Sequence, residues 1–255
     1  MTTVYRPKGL AALIKHLRGA YPQVPQAQPE PSPIDAGEPL LGQFVRAFLI
    51  WESTCAKATL ALKRIEQSVV DFNELRVCMP GELVRVLGER YPRADERARR
   101  MRSALNAIYS REHKVTLQRL TDMPKRESRD YLESLDGTPR FVAARVSLLG
   151  LAGHMAPVDG RMVRLLAERG ILEVDATPEA AAAVLERKVR APEMPEFYAL
   201  LQAWSDDGGG ESCEALRVPD AAATKAEGRR TGAPQAGGPK FPEPKAHHKS
   251  PDAKK

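Results

Sequence analysis

The sequence predicts an all-α fold. Between about residue 40 and residue 204, apolar residues recur at the three- and four-residue spacing of helices, and no stretch alternates polar and apolar residues as a strand does. Prolines punctuate this pattern, since Pro80 opens one helical segment and Pro92 ends it. Aromatic residues make up only 5% of the chain, so its core has to be built mainly from Leu, Val, Ala and Met.

The composition divides the chain into three segments. Residues 1–39 combine a short predicted helix at 8–19 with a proline-rich linker, and residues 40–205 form the helical body. Residues 206–255 are rich in Pro, Gly, Ala and Lys and contain too few large apolar residues to offset the entropy of ordering. We therefore expect a disordered C-terminal tail.

The positive charge is concentrated in that tail. The chain carries a formal net charge of +6, and the stretch from Arg217 to Lys255 contains nine Lys and Arg against four Asp and Glu. The preceding 216 residues are therefore nearly neutral. The tail is interpreted either as a loose arm that attracts phosphates or as a solubilising segment.

Membrane, disulfide and metal classes are disfavoured by the sequence. No apolar run approaches the length of a membrane span, and Lys15 and His16 interrupt the early apolar stretch. The three cysteines, Cys55, Cys78 and Cys213, lie far apart without metal-ligand spacing. We expect a soluble intracellular protein with no metal and no cofactor.

The body begins with two strongly patterned regions. Residues 44–65 are predicted to form one long apolar helix at the centre of the core. Further along, Ala98, Met101, Leu105 and Ile108 recur at helical spacing, which predicts one buried face. This spacing leaves three arginines on another, solvated face: Arg93, Arg97 and Arg100.

The segment from residue 127 to residue 172 carries the most information about function. A helix ends near Leu135, the residues LDGTP make a tight turn, and Thr138 with Pro139 supplies an N-cap and a first helical residue for the next helix. Gly137 is free to adopt a positive φ, and the amides that open the second helix can bind a phosphate oxygen. An ordinary hairpin between two helices has the same chemistry.

Two motifs in this segment resemble the helix-hairpin-helix DNA glycosylase superfamily, which includes endonuclease III and the adenine and alkylbase glycosylases. The family hairpin reads close to L-P-G-V-G, where this chain has Leu135, Asp136, Gly137, Thr138 and Pro139. The later family signature V-D-T-H is similar to Val158, Asp159, Gly160 and Arg161, followed by Met162. The resemblance extends more thinly from about residue 40 to about residue 205, and it implies a two-lobed helical fold.

The resemblance also implies a catalytic role for Asp159. Glycosylases extrude a nucleotide from the duplex and cleave its N-glycosidic bond through a transition state with positive charge on the sugar. A carboxylate near that carbon stabilises the charge and orients or deprotonates a water. An Asp in this position is also a good helix N-cap, worth about 1 kcal/mol, and the two roles are compatible.

Further residues follow from the same resemblance. It implies double-stranded DNA, damaged or mismatched, as the partner of a monomeric protein of the cytoplasm that associates with the nucleoid. Contacts to DNA are expected from two residues of the hairpin and from three arginines of the same segment: Gly137, Thr138, Arg140, Arg145 and Arg161.

Several positions depart from the family pattern. Phe141 stands where bifunctional members carry the lysine that attacks the sugar, so strand cleavage by elimination is not expected. Pro139 replaces the second hairpin glycine and removes one amide donor. Glu52 falls near the position of a strand-inserting glutamine, and a glutamate there would repel phosphates. The four-cysteine cluster of endonuclease III has no counterpart.

Two functions therefore compete at the level of the sequence. The first is a monofunctional DNA glycosylase of base excision repair, with Asp159 as the catalytic carboxylate. The second is a glycosylase-like scaffold without catalysis that binds nucleic acid or protein. The nearly neutral body favours the second function, and the Val158–Asp159 pair in its sequence context favours the first.

Overall fold

A computed structural model of the protein describes residues 7–24, residue 34 and residues 37–209. These residues form α-helices joined by turns and two short 3₁₀ segments, and no described residue lies in a strand. The α-helices are α1 (Pro7–Ala20), α2 (Pro39–Ile50), α3 (Cys55–Ser68), α4 (Phe72–Val77), α5 (Pro80–Leu87), α6 (Ala94–Glu112), α7 (Lys125–Glu133), α8 (Arg140–Gly150), α9 (Gly160–Glu168), α10 (Pro178–Lys188) and α11 (Met194–Asp206). The predicted all-α fold is thereby confirmed.

The predicted long helix over residues 44–65 is wrong, because the chain breaks between α2 and α3. Glu52 has a positive φ of 53°, which a continuous right-handed helix does not allow. Thr54 then begins a new helix, since its side-chain oxygen accepts a hydrogen bond from the Lys57 amide. The break creates a short loop, residues 51–54, which we call the α2–α3 loop.

Helices α2 and α8 form the centre of the core. They pack against each other, and α2 also packs against α3 and α6. Within α2, Phe44 and Phe48 make an edge-to-face ring contact with centroids 5.2 Å apart. In α8, Val142 and Val146 are completely buried. The residues that the pattern placed on the buried face of α6 are buried as predicted.

A second group of helices contains α1, α9, α10 and α11. Helix α1 packs against α11 through apolar residues that include Leu13 and Leu17. Arg18 adds a bidentate pair with Glu196, at 2.8 and 2.7 Å, on the exposed side of this contact. Helix α11 also packs against α9 and α8, so it links this group to the central pair.

The predicted helix, hairpin and second helix are present as α7, residues 134–139 and α8. Gly137 has the expected positive φ of 78°, and the Thr138 amide donates to the Leu135 carbonyl at 3.1 Å. The predicted N-cap was wrong by one residue. Helix α8 begins after Pro139, which makes no side-chain cap, and the Thr138 hydroxyl is buried without a hydrogen-bond partner among the described residues.

The arginines of α6 also differ from expectation. Arg97 is completely buried rather than solvated, whereas Arg93 and Arg100 are partly exposed. Within the described ranges, no helix is both long and apolar enough to cross a membrane. Most of the proline-rich linker, Cys213 and the predicted tail lie outside the described residues.

Candidate active site

Asp159 caps the N-terminus of α9. Its Oδ1 accepts a hydrogen bond from the Met162 amide at 3.0 Å, which is the usual contact of an N-cap residue. The apolar side chains of Val158 and Met162 on either side are buried and anchor the start of the helix. Asp159 itself is only 2% exposed.

The second oxygen of Asp159 binds the α2–α3 loop. The Glu52 amide donates to Asp159 Oδ2 at 2.9 Å, and in return the Gly160 amide donates to Glu52 Oε1 at 2.8 Å. A side chain at position 160 would displace this contact, since a Cβ there would lie 2.9 Å from Glu52 Oε1. Two carboxylates thus tie the loop to the start of α9. Asp159 accepts from the amide of Glu52, and Glu52 accepts from the amide of Gly160, the residue after Asp159.

The environment of Asp159 raises its pKa. Burial is the largest cause, and the nearby charge of Glu52 acts in the same direction. The hydrogen bonds from the Met162 and Glu52 amides and the charge of Arg161 oppose the rise. The result is a buried carboxylate whose charge is stabilised by fixed amide dipoles rather than by water.

Two arginines clamp the α2–α3 loop. Arg97 donates to the carbonyls of Phe48 and Trp51 at the end of α2, and to the Pro92 carbonyl at 3.0 Å. Arg161 donates to the carbonyls of Ser53 and Ser205. The bonds to Phe48, Trp51 and Ser53 satisfy carbonyls that the break between α2 and α3 would leave unpaired, and those to Pro92 and Ser205 tie the loop to its neighbours.

A polar chain extends from the same region along α11. Arg145 Nε donates to the Tyr198 hydroxyl at 3.0 Å, and Tyr198 donates to Gln202 Oε1 at 3.2 Å. Gln202 donates to Asp206 Oδ1 at 2.8 Å, and Asp206 Oδ2 accepts from the Cys55 amide at 3.0 Å. The chain connects α8, α11 and the first residue of α3 beside the α2–α3 loop.

The Cys55 thiol and the Tyr198 hydroxyl beside this chain stay protonated. Burial raises the pKa of the Cys55 thiol to about 12, and the charge of Asp206 adds to the rise. Burial also raises the pKa of Tyr198, while the positive charge of Arg145 lowers it and the negative charge of Asp159 raises it. Cys55 is therefore a neutral thiol rather than a reactive thiolate.

The hairpin packs against α6. A Cβ on Gly137 would lie 2.7 Å from the Arg100 carbonyl oxygen, so the turn approaches the α6 backbone more closely than any other residue type allows. The Ser103 hydroxyl donates to Asp136, and Arg111 donates to the Ser134 carbonyl at 2.7 Å. These contacts make the hairpin rigid at the point where α8 begins.

Comparisons with known proteins identify the fold that contains this site. Three of the solved structures that resemble the chain match about four-fifths of it. A trapped covalent complex of endonuclease III with DNA, containing an estranged adenine, aligns with a TM-score of 0.60 at 14% identity over 79% of this chain and 86% of that chain. The chain has the endonuclease III fold. A non-covalent complex of endonuclease III with DNA gives a TM-score of 0.58 at 15% identity over the same shares of both chains.

A thermostable thymine-DNA glycosylase also has this fold, with a TM-score of 0.53 at 14% identity over 78% of this chain and 86% of that chain. No protein-family model and no curated protein matches the sequence. The likeness therefore rests on three-dimensional structure, and the helix-hairpin-helix resemblance of the sequence is confirmed at the level of the fold.

The endonuclease III fold brings some of the predicted site residues together and separates others. Asp159 and Arg161 lie at the α2–α3 loop, and Arg145 is enclosed beneath it with 8% exposure. Arg140 pairs with Glu133 at 3.0 Å and with Glu186 at 2.9 Å. Each of these three arginines already has partners within the protein, and their contacts with DNA stay a prediction.

Phe141 occupies the first turn of α8 in this fold. It is buried, and its ring meets the Tyr198 ring edge-to-face with centroids 6.4 Å apart. An aromatic side chain packed in this way offers no amine for attack on a sugar.

Three residues that shape the candidate site were missed by the sequence analysis. Tyr198 and Gln202 are four residues apart on α11, a spacing that puts them on one helix face, but a polar pair at this spacing also suits a solvated surface. Arg97 was assigned to a solvated face from the spacing of the apolar residues, although it lies four residues before Met101 and therefore on the buried face of α6. The spacing thus carried a signal for burial, but not for the distant backbone carbonyls that pair with Arg97.

Proposed function

We propose that this protein is a DNA N-glycosylase that hydrolyses the bond between a damaged or mismatched base and its sugar without cleaving the strand. The observation that carries the proposal is Asp159, a buried carboxylate held by two backbone amides at the start of α9. The fold that surrounds it is shared with endonuclease III and a thymine-DNA glycosylase.

The chemistry follows from the environment of Asp159. As the base leaves, positive charge develops on the sugar, and a carboxylate already oriented in a site of low polarity stabilises this charge more than water does. The same carboxylate orients the attacking water and accepts its proton. Since Asp159 is almost completely buried and its Oδ2 is bound by the α2–α3 loop, the sugar reaches it only after a local movement that exposes the carboxylate.

Strand cleavage is not part of this proposal. Elimination at the sugar requires an amine that forms a Schiff base, and the sequence resemblance aligns Phe141, which has no amine, with the lysine that supplies it in bifunctional members. Arg140, the preceding residue, is held in two ion pairs and cannot readily lose a proton. The expected product is an intact strand with an abasic site.

Duplex DNA is bound in this proposal through the hairpin. Among the described residues, the amides of Gly137 and Arg140 make no hydrogen bond, and they lie at the positive end of α8. Such amides bind a phosphate oxygen without reading sequence. The structures of endonuclease III with DNA support a duplex as the partner.

The test is base release from a panel of duplexes that carry uracil, alkylated purines, oxidised bases and mismatched adenine. We expect the wild type to release a free base from at least one duplex and to leave strands that break only after alkali or heat. Borohydride should trap no covalent complex. The Asp159→Asn variant should lose base release by about 100-fold or more, because it lacks the charge that stabilises the sugar.

The folding of the Asp159→Asn variant has to be measured in parallel. An asparagine has one acceptor oxygen, so it cannot accept from both the Met162 and Glu52 amides, and we expect a loss of about 1 to 3 kcal/mol in stability. Asp71→Asn is the matched control, since Asp71 caps α4 through the Glu74 amide alone. Undiminished base release by Asp159→Asn would contradict the assigned role. A folded wild type that binds DNA but releases no base would favour the scaffold function.

A further inference from the structure

Glu186 is an acidic residue on the buried side of α10. It lies one helical turn from Ala182 and from Val189, both of which are almost completely buried. The Glu186 side chain is only 16% exposed, whereas the next two residues of α10, Arg187 and Lys188, are exposed. A carboxylate in such a position needs partners inside the protein.

One oxygen of Glu186 binds two separate elements. Its Oε1 accepts from the Arg140 guanidinium at 2.9 Å and from the Ala156 amide at 3.1 Å. Arg140 is the first residue of α8, directly after the hairpin, and Ala156 is buried three residues before Asp159. Glu186 therefore bonds both the start of α8 and the segment that leads to the candidate catalytic carboxylate.

Helix α10 holds this segment at a second point. The Nε2 atom of His154 lies 3.1 Å from the Val189 carbonyl oxygen, and since a carbonyl oxygen only accepts, Nε2 donates. Residues 152–158 belong to no helix or strand, so contacts of this kind replace the regular backbone hydrogen bonds that would otherwise fix them. The path of the chain into Asp159 thus depends on α10.

The spacing between the hairpin and Asp159 matters for the proposed reaction. The hairpin amides bind a phosphate in that proposal, while Asp159 faces a sugar of the same duplex. A displacement of about 1 Å between a catalytic group and its substrate costs on the order of 100-fold in rate. A side chain that is bonded to both elements holds them at a fixed separation.

We propose that Glu186 is a positioning residue, which sets the distance between the hairpin and Asp159. It acts through the Arg140 guanidinium on one side and the Ala156 amide on the other. This inference rests on the proposed glycosylase function. Glu186 itself touches neither the sugar nor the base in this role.

The experiment compares two duplexes that contain no base to release at the site. The full-length protein is titrated with duplexes that differ at one nucleotide, which is either an uncharged tetrahydrofuran or a protonated pyrrolidine that mimics the positive charge on the sugar. We expect the wild type to prefer the pyrrolidine duplex by about 10- to 100-fold, the range for a bond between charged groups. Asp159→Asn should lose this preference.

Two substitutions of Glu186 separate positioning from packing. Glu186→Leu has no acceptor for the Ala156 amide and should lower the preference by about 10-fold, because Asp159 is no longer held in place. Glu186→Gln retains an oxygen at the same position and should restore most of the preference. If Glu186→Leu does not fold, Glu186→Asp takes its place, since its carboxylate ends one carbon short of the Ala156 amide.

Glu133→Leu is the matched control. Glu133 pairs with Arg140 at 3.0 Å and with Arg129 at 3.3 Å, and within the described residues neither contact reaches the segment before Asp159. The variant should retain the preference for the pyrrolidine duplex, even where its affinity for both duplexes changes.

A complete preference in folded Glu186→Leu, or in Glu186→Asp where the leucine variant does not fold, would overturn the inference, and so would an equal loss in Glu133→Leu. The proposed function fails separately. A preference that depends on Glu186, without release of any base from cleavable duplexes, would retain the positioning role and refute catalysis. A wild type without a preference, or a complete preference in Asp159→Asn, would refute the role of Asp159 at the sugar and the positioning role with it.

Discussion

At the scale of single residues, the site depends on two carboxylates, those of Asp159 and Glu52, each of which accepts a hydrogen bond from a backbone amide at or next to the other. Asp159 accepts from the Glu52 amide, and Glu52 accepts from the Gly160 amide next to Asp159. The negative charge of Glu52 is therefore held close to Asp159 and contributes to its raised pKa, after burial as the larger cause. The charge of Glu52 therefore affects the pKa of Asp159, independently of any contact between Glu52 and DNA.

The pH dependence of base release follows from this pair. The proposed reaction needs Asp159 ionised, so we expect activity above its folded pKa and a loss of activity as the pH falls through that value. Because the pKa is raised, the acid limb should lie above the ordinary aspartate value of about 3.9. Glu52→Gln removes the charge but retains an oxygen for the Gly160 amide, and it should move the acid limb to lower pH.

The measurement is the pH profile of single-turnover base release by the wild type and Glu52→Gln. Glu168→Gln, an exposed substitution at the far end of α9, is the control and should leave the profile unchanged. An acid limb that stays in place in Glu52→Gln would refute the electrostatic coupling.

At the scale of elements, the hairpin and the α2–α3 loop are both held by contacts with α6. The hairpin fits against the Arg100 backbone only because residue 137 is glycine. The loop is attached through Arg97, which reaches back from α6 to the carbonyls that end α2. Helix α6 thus positions both elements that are expected to meet DNA.

Gly137→Ala tests the packing of the hairpin. The substitution imposes a positive φ on alanine and places its Cβ 2.7 Å from the Arg100 oxygen, so we expect a loss of about 2 to 4 kcal/mol in the free energy of unfolding. Gly37→Ala is the matched control, because Gly37 has nearly the same φ of 79° and nothing within 4 Å of the added Cβ. It should lose only about 1 kcal/mol in urea denaturation. Equal losses would show that the close approach to α6 is unimportant.

Arg97→Met tests the attachment of the loop. Methionine fills a similar volume but leaves the carbonyls of Phe48, Trp51 and Pro92 without their donor, and we expect a loss of about 2 to 4 kcal/mol. Arg99→Met, on the exposed side of α6, should change stability by no more than about 0.5 kcal/mol. Thermal and urea denaturation measure both variants. An unchanged stability of Arg97→Met would mean that other contacts hold the loop.

At the scale of the whole molecule, the described helices form a central pair, α2 and α8, and a second group that packs around α11. Helices α2 and α8 form the centre of the apolar core, and α11 carries the polar chain that reaches Arg145. Helix α1 packs on the other side of α11 and ties its start through Arg18 and Glu196. The candidate site lies where the loop of the first group meets α9 and α11 of the second.

Truncation of the protein after Val218 tests the helical body without the basic tail. The deletion removes eight Lys and Arg and four Asp and Glu, so affinity for undamaged duplex should fall and its salt dependence should become shallower. Base release at saturating DNA should stay unchanged, since every residue of the candidate site precedes residue 210. A full-length variant with these eight residues changed to Gln distinguishes charge from length. Loss of base release on truncation, with the fold intact, would assign the tail an active role.

Much of the local structure was predictable because it depends on short stretches of sequence. The helical periods, Pro80 at the start of α5, the turn at Gly137 and the cap at Asp159 each follow from residues within a few positions of one another. The break at Glu52 was missed, although Thr54 supplies a cap, because the apolar pattern continues across it.

Only the tertiary structure decided which residues distant in sequence form hydrogen-bonded pairs. Glu52 and Asp159 are separated by 107 positions, and Arg145 and Tyr198 by 53, so no local pattern relates them. The sequence by itself determined most of the helical segments, but not the break at Glu52, and it determined which acid begins α9. Packing of those helices decided that the acid faces a second carboxylate, that Arg97 is buried, and that Arg145 is enclosed. These properties depend on long-range burial, which arises only when the helices are brought together.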